Sequence, residues 1–382
     1  MSKVEELLEK YNPDGVEDLT LGEICLNHDS KRRPISKGNR IPGNIPYYGA
    51  NGIQDYVDDY LFNGEYILVG EDGSVITEEG TPIVKWVYGK FWVNNHAHIF
   101  SENLNKALLK YVFYILQINK IKDLVRGVPP KLTKESVLSI SLKIPHIKVQ
   151  EEIVNILDSF TNLIDALNEE LSLRQKQFEY YREKLLTFDD DVEKFIVTEV
   201  AQLKSGLTYK PSDVSDKGIL VLRSSNIKNG FLSYDDNVFV KESTKISDRS
   251  IVRCNDILIC VRNGSKKLVG KCAMIDKNAD GMAFGAFMSV LRAKDINPKY
   301  LFYVWSSQII QDKIKGDDAA PINQITSKDF NRLLIPVPKE QIQQSIVEKL
   351  DAFESLISSL KEEIALRQKQ YEYYREKLLT FN

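Results

Sequence analysis

Two long stretches of the chain carry the same spacing of apolar residues. Apolar side chains recur at alternating steps of four and three from Ile153 to Phe188 and again from Ile346 to Phe381, with no proline or glycine inside either stretch. This a/d pattern lasts for about five heptads and predicts a long α-helix in each stretch. The helices end in nearly the same letters, because RQKQFEYYREKLLTF at 174–188 returns half a chain later as RQKQYEYYREKLLTF at 367–381. The chain is therefore predicted to contain two copies of one unit.

The two stripes are predicted to pack on each other in antiparallel orientation. A parallel, in-register pair would press Arg174 against Arg367 in the seam, which is unfavourable for like charges with little solvent. Glu170 and Glu363 stand four residues before the two arginines, the favourable order for an ion pair within one helix. Pairing between two separate chains is the alternative, although an internal partner has the higher effective concentration. The predicted seam positions are Leu157, Phe160, Ile164, Leu167, Leu171, Phe178, Tyr181, Leu185, Leu350, Phe353, Ile357, Leu360, Ile364, Tyr371, Tyr374 and Leu378.

The remaining segments have the pattern of short strands and turns, with a few helices. Alternating apolar and polar residues between Gly, Asn and Asp predict strands in IPYYGANGI, EYILVGEDGSVI, IVKWVYG and KFWVNNHAHIF of the first half. The second half repeats the plan with ILVLRSSNI, DILICVRNGS, VGKCAMI and FMSVLRA. Further helices are predicted at 2–11, 104–122 and 298–315.

The predicted fold class is α+β, with two globular domains, two long antiparallel helices and an internal pseudo-two-fold repeat. Domain 1, with the N-terminal helix, is expected at 1–150 and domain 2 at 189–343. The long helices are expected at 151–188 and 344–382. Because the helices agree almost letter for letter while the domains agree only in plan, we expect the domains to recognise two different targets.

Charge and composition exclude a few classes and favour one kind of surface. There is no apolar run of membrane length, no signal peptide and no C-x-x-C pair, which predicts a cytoplasmic protein with reduced thiols. The net charge of −3 is not that of a typical nucleic-acid-binding protein. Basic residues nevertheless cluster in residues 31–40, 106–148 and 262–271, outside the long helices. A charge run is often only a solvated face, but three clusters raise the expectation of a surface that faces phosphates.

Signatures of catalysis are weak. Asn44–Ile45–Pro46–Tyr47 resembles the N-x-P-Y tetrad of adenine N6-methyltransferases, but no glycine-rich cofactor loop precedes it, so a turn before a strand is the simpler interpretation. His96 and His98 alternate on one predicted strand face and could bind a metal, although hydrogen bonding is the more economical explanation. We predict neither a catalytic residue nor a metal site.

Side chains suited to DNA recognition are better represented. Arg and Asn recognise guanine and adenine edges, whereas Lys, Ser and backbone N–H groups hold phosphates. Each candidate could also be an ordinary turn residue, and Arg262 could simply pair with Asp256. The candidates in domain 1 are Lys31, Arg32, Arg33, Lys37, Arg40, Tyr48, Asn51, Asn94, Asn95 and His96. Those in domain 2 are Arg223, Ser225, Asn226, Arg262, Asn263, Ser265, Lys266 and Lys267.

The whole chain resembles the specificity subunits of type I restriction–modification systems. The resemblance rests on the repeated helix with its preceding KVQEEIVNILD and KEQIQQSIVEKLD turns, and on YYGANGIQDYVDDYLFNGEYILVGEDG, GKFWVNNHAHIF, PKLTKESV, LRSSNIKNG and VRNGS in the domains. It implies a non-catalytic subunit in which each domain recognises one half of a split DNA site and the helices set the gap. The implied partners are double-stranded DNA, two methyltransferase (modification) subunits and, through them, restriction subunits. No cofactor is expected here, while S-adenosylmethionine, ATP and Mg²⁺ are expected in the partner subunits.

Two other functions compete with this interpretation. A stand-alone DNA adenine methyltransferase built on Asn44–Tyr47 would bind S-adenosylmethionine by itself. A coiled-coil scaffold whose domains bind other proteins would show no salt-dependent DNA binding when assembled with its partners.

Overall fold

The computed structural model describes residues 2–103, 106–315 and 324–381. In chain order the elements up to the first long helix are α1 (Lys3–Tyr11), β1 (Glu17–Thr20), α2 (Leu21–Ile24), β2 (Cys25–Asn27), β3 (Pro42–Gly49), β4 (Gly52–Val57), β5 (Phe62–Gly70), β6 (Val84–Val93), β7 (Ala97–Glu102), α3 (Leu109–Leu116), α4 (Lys134–Leu138), β8 (Ser141–Ile144) and α5 (Ile147–Leu186).

The second half repeats this order with more and shorter strands. Its elements are β9 (Lys194–Ile196), α6 (Val197–Val200), β10 (Ala201–Ser205), β11 (Val214–Ser215), β12 (Ile219–Leu222), β13 (Ile227–Lys228), β14 (Phe231–Leu232), β15 (Phe239–Val240), β16 (Ile257–Cys260), β17 (Cys272–Met274), β18 (Ala283–Phe284), β19 (Met288–Ala293), α7 (Pro298–Ser306), α8 (Gln308–Lys315), α9 (Ser327–Phe330), β20 (Leu334–Pro336) and α10 (Glu340–Leu379).

The chain divides into two units, and each long helix contributes to both of them. Unit 1 comprises Met1–Asn168 and Glu362–Asn382, and unit 2 comprises Glu169–Lys361. Within unit 1 the first half of α5 therefore lies beside the second half of α10, and Phe160 stacks on Tyr374 with ring centroids 5.3 Å apart. Within unit 2 the second half of α5 lies beside the first half of α10, and Tyr181 stacks on Phe353 at 5.4 Å. These contacts confirm the predicted antiparallel orientation.

The predicted seam residues differ in their burial. Leu157, Ile164, Leu350 and Tyr371 are buried. Tyr374 is exposed apart from its stacked face, and the other predicted positions are half-buried: Phe160, Leu167, Leu171, Phe178, Tyr181, Leu185, Phe353, Ile357, Leu360, Ile364 and Leu378. The predicted ion pairs within each helix are present, with Arg174 Nη2 3.3 Å from Glu170 Oε1 and Arg367 Nε 2.7 Å from Glu363 Oε1. Both pairs are partly exposed and contribute little stability.

Each unit contains a sheet of the same local plan. In unit 1 a six-stranded mixed sheet has the order β2-β7-β5-β6-β3-β4. In unit 2 an antiparallel four-stranded sheet has the order β10-β19-β16-β17, which matches β2-β7-β5-β6, and a second sheet has the order β11-β15-β12-β18. The small sheets β1–β8 and β9–β20 also correspond. This correspondence supports the predicted internal repeat.

The domains are attached to the long helices by the same hydrogen bonds in both units. Gln150 accepts a bond from Leu108 N at 2.9 Å and donates to Pro145 O at 2.8 Å, and Gln343 does the same with Asn297 N and Pro338 O. Tyrosine hydroxyls repeat a second contact. Tyr114 donates to Asp158 in α5, and Tyr303 donates to Asp351 in α10 at 2.6 Å. Both helices therefore carry glutamine and aspartate at equivalent positions, and these side chains make equivalent attachments in the two units.

Several predicted boundaries differ from the observed ones. The long helices begin earlier than 151 and 344 and end before Phe188 and Phe381. The helix predicted at 104–122 is present as α3, while Leu104 lies outside the described residues. The helix predicted at 298–315 is interrupted at Ser307, whose backbone is extended (φ −70°, ψ 154°). Among the described residues, no helix is long and apolar enough to cross a membrane.

Candidate nucleic-acid interface

The two domains present polar side chains at equivalent strand ends. In domain 1, β5 is followed by Glu71–Asp72, and Glu71 N donates to His96 O at 2.9 Å just before β7 begins. In domain 2, β16 is followed by Val261–Arg262, and Val261 N donates to Phe287 O at 3.0 Å just before β19 begins.

A third segment completes this arrangement in both domains. Leu132 N donates to Glu71 O, and Ile325 N donates to Val261 O, each at 2.8 Å. Single bridges join Asp72 to Lys131 and Arg262 to Gln324. By these backbone contacts Asp72 corresponds to Arg262 and His96 corresponds to Phe287.

In domain 2 the strand ends surround a cavity of about 700 Å³. Its lining includes Arg223, Arg262 and Asn263 from the predicted set, together with Tyr209 and Phe287. The Arg262 guanidinium carbon lies 5.2 Å from the centroid of the Phe287 ring, a cation–π distance. The cavity therefore combines positive charge with aromatic surface, as nucleic-acid sites do.

Arg262 does not pair with Asp256. Asp256 is buried and accepts two hydrogen bonds from Arg292, at 2.9 Å from Nε and 2.8 Å from Nη2. That fork is the bidentate geometry of a structural Arg–carboxylate pair. In the part of the chain that the structure describes, no carboxylate lies within ion-pair distance of Arg262. The suggestion that Arg262 merely stabilises the domain through Asp256 is therefore wrong.

The other predicted residues of domain 2 serve different local purposes. Asn226 is fully buried and holds a turn, donating to Ser233 O and Asp236 O while accepting from Arg223 N. Ser225 Oγ lies 3.5 Å from Asp236 O. Asn263 donates to Ser224 Oγ at 3.0 Å and accepts from Ser265 N at 2.9 Å, which shapes the loop around Arg262.

The lysines of this loop do not line the cavity that contains Arg262. Ser265, Lys266 and Lys267 are exposed, and both lysines belong to a short 3₁₀ turn. Lys267 lines a separate cavity of about 320 Å³ beside Phe178 and Arg182, away from Arg262. The structure therefore brings Arg223, Arg262 and Asn263 together and leaves Lys267 outside that group.

In domain 1 the predicted triplet Asn94–Asn95–His96 forms the turn between β6 and β7. Asn94 is buried, donates to Gln54 and accepts from His96 N at 2.8 Å, so it positions the turn. Asn95 is exposed. His96 Nδ1 lies 2.7 Å from Asp72 Oδ1, and 44% of the His96 side chain is exposed. His96 therefore precedes the strand that contains His98 and does not share a strand face with it, contrary to the sequence prediction.

A buried group of polar and charged side chains stabilises this turn. His98 is fully buried, with Nδ1 2.7 Å from Asp29 Oδ2 and Nε2 2.9 Å from Leu132 O. Each ring nitrogen of His98 therefore faces a hydrogen-bond acceptor. Arg32 contacts Asp29 and Glu71 and donates to Ala97 O at 2.9 Å. Arg32 is thus engaged in tying the loops together.

The ionised state of Asp29 stabilises unit 1. Burial alone would raise the pKa of Asp29, but the hydrogen bond and charge of His98, the Arg32 guanidinium and the Ile99 N–H together hold that pKa below its usual value. A lowered carboxyl pKa in the folded state gives stability that is complete above the unfolded pKa of about 4 and is lost as the pH falls further.

We expect Asp29→Asn to lower the free energy of unfolding by about 3 kcal/mol or more at pH 7, because Arg32 and the buried His98 lose a charged hydrogen-bonding partner. Urea unfolding at pH 7 and at pH 3 measures the effect, and the difference from the unaltered chain should shrink at pH 3. Asp18→Asn is the matched control, since Asp18 forms a partly exposed pair with Lys143 and should change stability by less than about 1 kcal/mol. Equal effects of the two substitutions would contradict the role of Asp29.

The remaining candidates of domain 1 lie on exposed loops or next to tyrosines. Lys31, Arg33, Lys37 and Asn51 are exposed. Arg40 lies 4.2 Å above the Tyr47 ring and 3.1 Å from Asp55 Oδ2.

Tyr48 is half-buried, and its ring packs edge-on against Phe91. Burial raises the pKa of Tyr48, with a further contribution from the neighbouring Tyr56 and Tyr88. Tyr88 is 77% exposed. These three tyrosines form a partly exposed aromatic group in domain 1.

The residues considered for catalysis and metal binding have structural surroundings. Asn44–Tyr47 lies within strand β3, so the predicted turn is wrong at this point. Tyr47 is buried, and its hydroxyl accepts a hydrogen bond from Ile35 N at 2.9 Å. Over residues 2–103, 106–315 and 324–381, no group of three or more His, Cys, Asp or Glu side chains could hold a metal ion.

Sequence reasoning missed two members of the strand-end groups, Asp72 and Phe287. Both can be located by counting from equivalent strands: Asp72 and Arg262 are the second residues after β5 and β16, and His96 and Phe287 stand directly before β7 and β19. The motifs EDGS and RNGS are offset by one residue in this count, so aligning them would pair Asp72 with Asn263 instead. The sequence cannot show that the paired side chains touch.

Comparison with known proteins agrees with the duplicated architecture. The family profile described as the type I restriction modification DNA specificity domain matches residues 13–173 and again residues 189–366. A putative type I restriction enzyme specificity subunit of Haemophilus influenzae is 34% identical across 99% of this chain and 98% of its own length. The EcoR124I/EcoR124II specificity subunit of Escherichia coli is 30% identical across 100% of this chain and 97% of its own length.

A solved structure shares the fold. The crystal structure of the S subunit of a type I restriction–modification system from M. genitalium superimposes with a TM-score of 0.59 over 95% of this chain and 96% of that chain, at 16% sequence identity. The profile covers both halves, and a relative at 34% identity spans almost the full length. The chain therefore belongs to the family of type I restriction–modification specificity subunits.

Proposed function

We propose that this protein is the DNA-recognition subunit of a type I restriction–modification complex. Domain 1 recognises one half of a bipartite, asymmetric DNA site, and domain 2 recognises the other half. The protein itself is not an enzyme and holds no cofactor. Adenine methylation and ATP-dependent cleavage belong to partner subunits that use S-adenosylmethionine, ATP and Mg²⁺, and the complex works in the cytoplasm, where its DNA is.

This proposal rests on a contrast between the two units of the chain. Both domains attach to the long helices in the same way, but their side chains at equivalent strand ends differ. Gln150 and Gln343 make the same bonds in the two units. At the equivalent strand ends, however, domain 1 has Asp72 with His96 and domain 2 has Arg262 with Phe287. Two domains with the same scaffold but different hydrogen-bonding groups suit two different half-sites, because a DNA sequence is recognised through the edges of its bases.

The paired helices are proposed to fix the spacing between the half-sites. Each helix has 40 residues, which corresponds to about 60 Å at a rise of ~1.5 Å per residue. One turn of DNA is about 34 Å. A scaffold of about 60 Å spans about 1.8 turns of DNA, so it suits two half-sites separated by a non-specific gap of between one and two turns.

Two copies of the methyltransferase subunit are proposed to bind at repeated apolar positions on the helices. In unit 1 the exposed apolar side chains include Leu163, Leu366 and Tyr373, and in unit 2 the corresponding residues Leu356, Leu173 and Tyr180 are exposed. Exposed apolar residues at matching positions of a repeat suit two copies of one partner, since identical surfaces bind identical proteins. These positions lie outside the a/d seam, so their exposure does not follow from helix pairing.

The stoichiometry of the complex tests this proposal. With its methyltransferase, the chain is expected to form a complex with two methyltransferase subunits per chain. Leu173→Asp with Tyr180→Ser should remove one of them, and Leu366→Asp with Tyr373→Ser should remove the other, because each double substitution leaves one set intact. Mass measurement of the purified complexes gives the ratio.

Ser172→Asp is the matched control, because Ser172 is exposed on the same helix and outside the apolar positions. It should leave two methyltransferase subunits bound. A complex that contains one methyltransferase subunit before any substitution, or two after both double substitutions, would contradict the proposal.

A further inference from the structure

The side-chain pair at the equivalent strand ends is the feature that distinguishes the two domains most sharply. The backbone contacts place Asp72 and Arg262 at one corresponding position and His96 and Phe287 at the other. In each domain the two side chains at these positions touch each other. Their chemistry nevertheless differs completely. The pair in domain 1 joins a carboxylate to an imidazole, and the pair in domain 2 joins a guanidinium to a phenyl ring.

In domain 2 the pair is a guanidinium held against an aromatic ring. Phe287 is 58% exposed, which is unusual for phenylalanine, and Arg262 lies over its face. An aromatic face orients the flat guanidinium while leaving its N–H edge free to donate. Both residues line the cavity of about 700 Å³ that also contains Arg223. A pre-oriented guanidinium edge on an exposed loop matches the paired acceptors of guanine, O6 and N7.

In domain 1 the pair is an imidazole held by a carboxylate. Asp72 accepts a hydrogen bond from His96 Nδ1, which lies 2.7 Å from Asp72 Oδ1 and 2.9 Å from Asp72 Oδ2. Nε2 is then the ring nitrogen that remains available for a base. The His96 side chain is 44% exposed, so this nitrogen can be reached from solvent.

We propose that these equivalent pairs are the specificity-determining elements of the two domains, and that Arg262, held by Phe287, recognises a guanine in one half-site. His96, held by Asp72, recognises one position of the other half-site. Phe287 and Asp72 act as positioning residues for the side chains that touch the bases. This inference rests on the proposed function, since it assigns residues to the recognition of the two half-sites.

The guanine contact can be tested atom by atom. The complex of the chain with its methyltransferase is assayed on duplexes in which 7-deazaguanine replaces each guanine of the methylated motif in turn, which removes N7 and keeps base pairing. One replacement should weaken binding of the unaltered complex by about 5- to 150-fold, the range of a good base contact. With Arg262→Gln the same replacement should have no further effect, because the partner of N7 is already absent.

Positioning by Phe287 predicts a graded result. Phe287→Leu keeps an apolar side chain at this position but removes the aromatic face. It should therefore reduce discrimination between guanine and the other bases at the same position of the motif, and leave the other positions unchanged. Arg253→Gln is the matched control, because Arg253 is an exposed arginine of the same domain outside the cavity. It should leave the methylated motif unaltered. Melting temperatures of all variants establish that they are folded.

Methylation mapping with His96→Ala tests the other domain. Relaxation should occur at one position, and that position should lie in the opposite half-site from the guanine assigned to Arg262. Relaxation of both variants in the same half-site would overturn the inference.

Four further results would overturn the assignment of Arg262: relaxation at an A·T pair, equal weakening on all sequences as for a phosphate contact, continued sensitivity of Arg262→Gln to the same 7-deazaguanine, or no change of the motif. If the unaltered complex methylates no bipartite motif, the proposed function itself fails. A bipartite motif that Arg262→Gln leaves unchanged rejects this inference alone.

Discussion

Exchange of residues 17–150 for the corresponding segment of another specificity subunit is expected to change one half of the methylated motif completely and to leave the other half as it was. The reason is that the exchanged segment contains the strand ends with Asp72 and His96, whereas Arg262 and Phe287 remain in place. All of α10 and all of α5 after Gln150 are retained, so the gap between the half-sites should also be retained. Long-read mapping of methylated adenines, with the partner methyltransferase present, measures all three features at once.

The exchange must preserve the attachment of the domain to the helices. Gln150 lies within the exchanged segment and bonds Leu108 and Pro145, so the donor subunit should carry glutamine at this position. Exchange of the matching segment of domain 2 is the reciprocal control and should change the opposite half. A change in both halves after either single exchange would be incompatible with two independent recognition domains.

Insertion of four residues after Leu173 is expected to have the second large effect. It would lengthen α5 by about 6 Å and turn its apolar stripe out of register with α10. Either the gap between the half-sites becomes longer or the complex does not assemble. Methylation mapping and the mass of the complex distinguish these outcomes.

A heptad inserted into both helices, after Leu173 and after Leu366, is the matched control. Seven residues preserve the a/d register and lengthen each helix by about 10 Å, which equals about three base pairs of DNA. This variant should assemble and methylate a motif with a longer gap. An active complex whose gap is unchanged by the double insertion would refute the proposed role of the helices.

The periodic parts of the fold were predictable because periodicity is a local property of the sequence. The a/d stripe predicted both long helices and, through Arg174 and Arg367, their antiparallel orientation. The strand pattern placed β5 close to its observed position and found the strand residues of β6 and β7, but it divided β6 after Gly89 and joined its end to β7 in KFWVNNHAHIF. The break at Ser307 was not predictable in this way, since both sides of it continue the helical pattern and the extended backbone depends on tertiary packing.

The sequence allowed the residue types of the candidate recognition surface to be predicted, but it allowed much less to be predicted about where those side chains lie. Arg223, Arg262 and Asn263 were singled out and do share one cavity, but Lys267 of the same loop lines another. Asn94 and Asn226 have the right chemistry for bases and are nevertheless buried in turns. Whether an asparagine faces solvent depends on contacts between segments far apart in the chain, such as Asn94 with Gln54.

The same limit applies to Arg32 and His98, whose partners are remote in sequence. Arg32 belongs to a basic run, yet its guanidinium is engaged by Asp29 and Glu71. A carboxylate and a backbone carbonyl face the two ring nitrogens of the buried His98. Neither arrangement has a sequence signature.

Long-read methylation mapping of DNA modified by this chain with its methyltransferase decides whether one chain directs methylation to a bipartite site through two separate domains. We expect a single asymmetric motif made of two specific half-sites separated by a fixed non-specific gap, with a methylated adenine in each half. A continuous motif without a gap, or methylation that does not depend on this chain, would show that the two domains do not recognise separate half-sites.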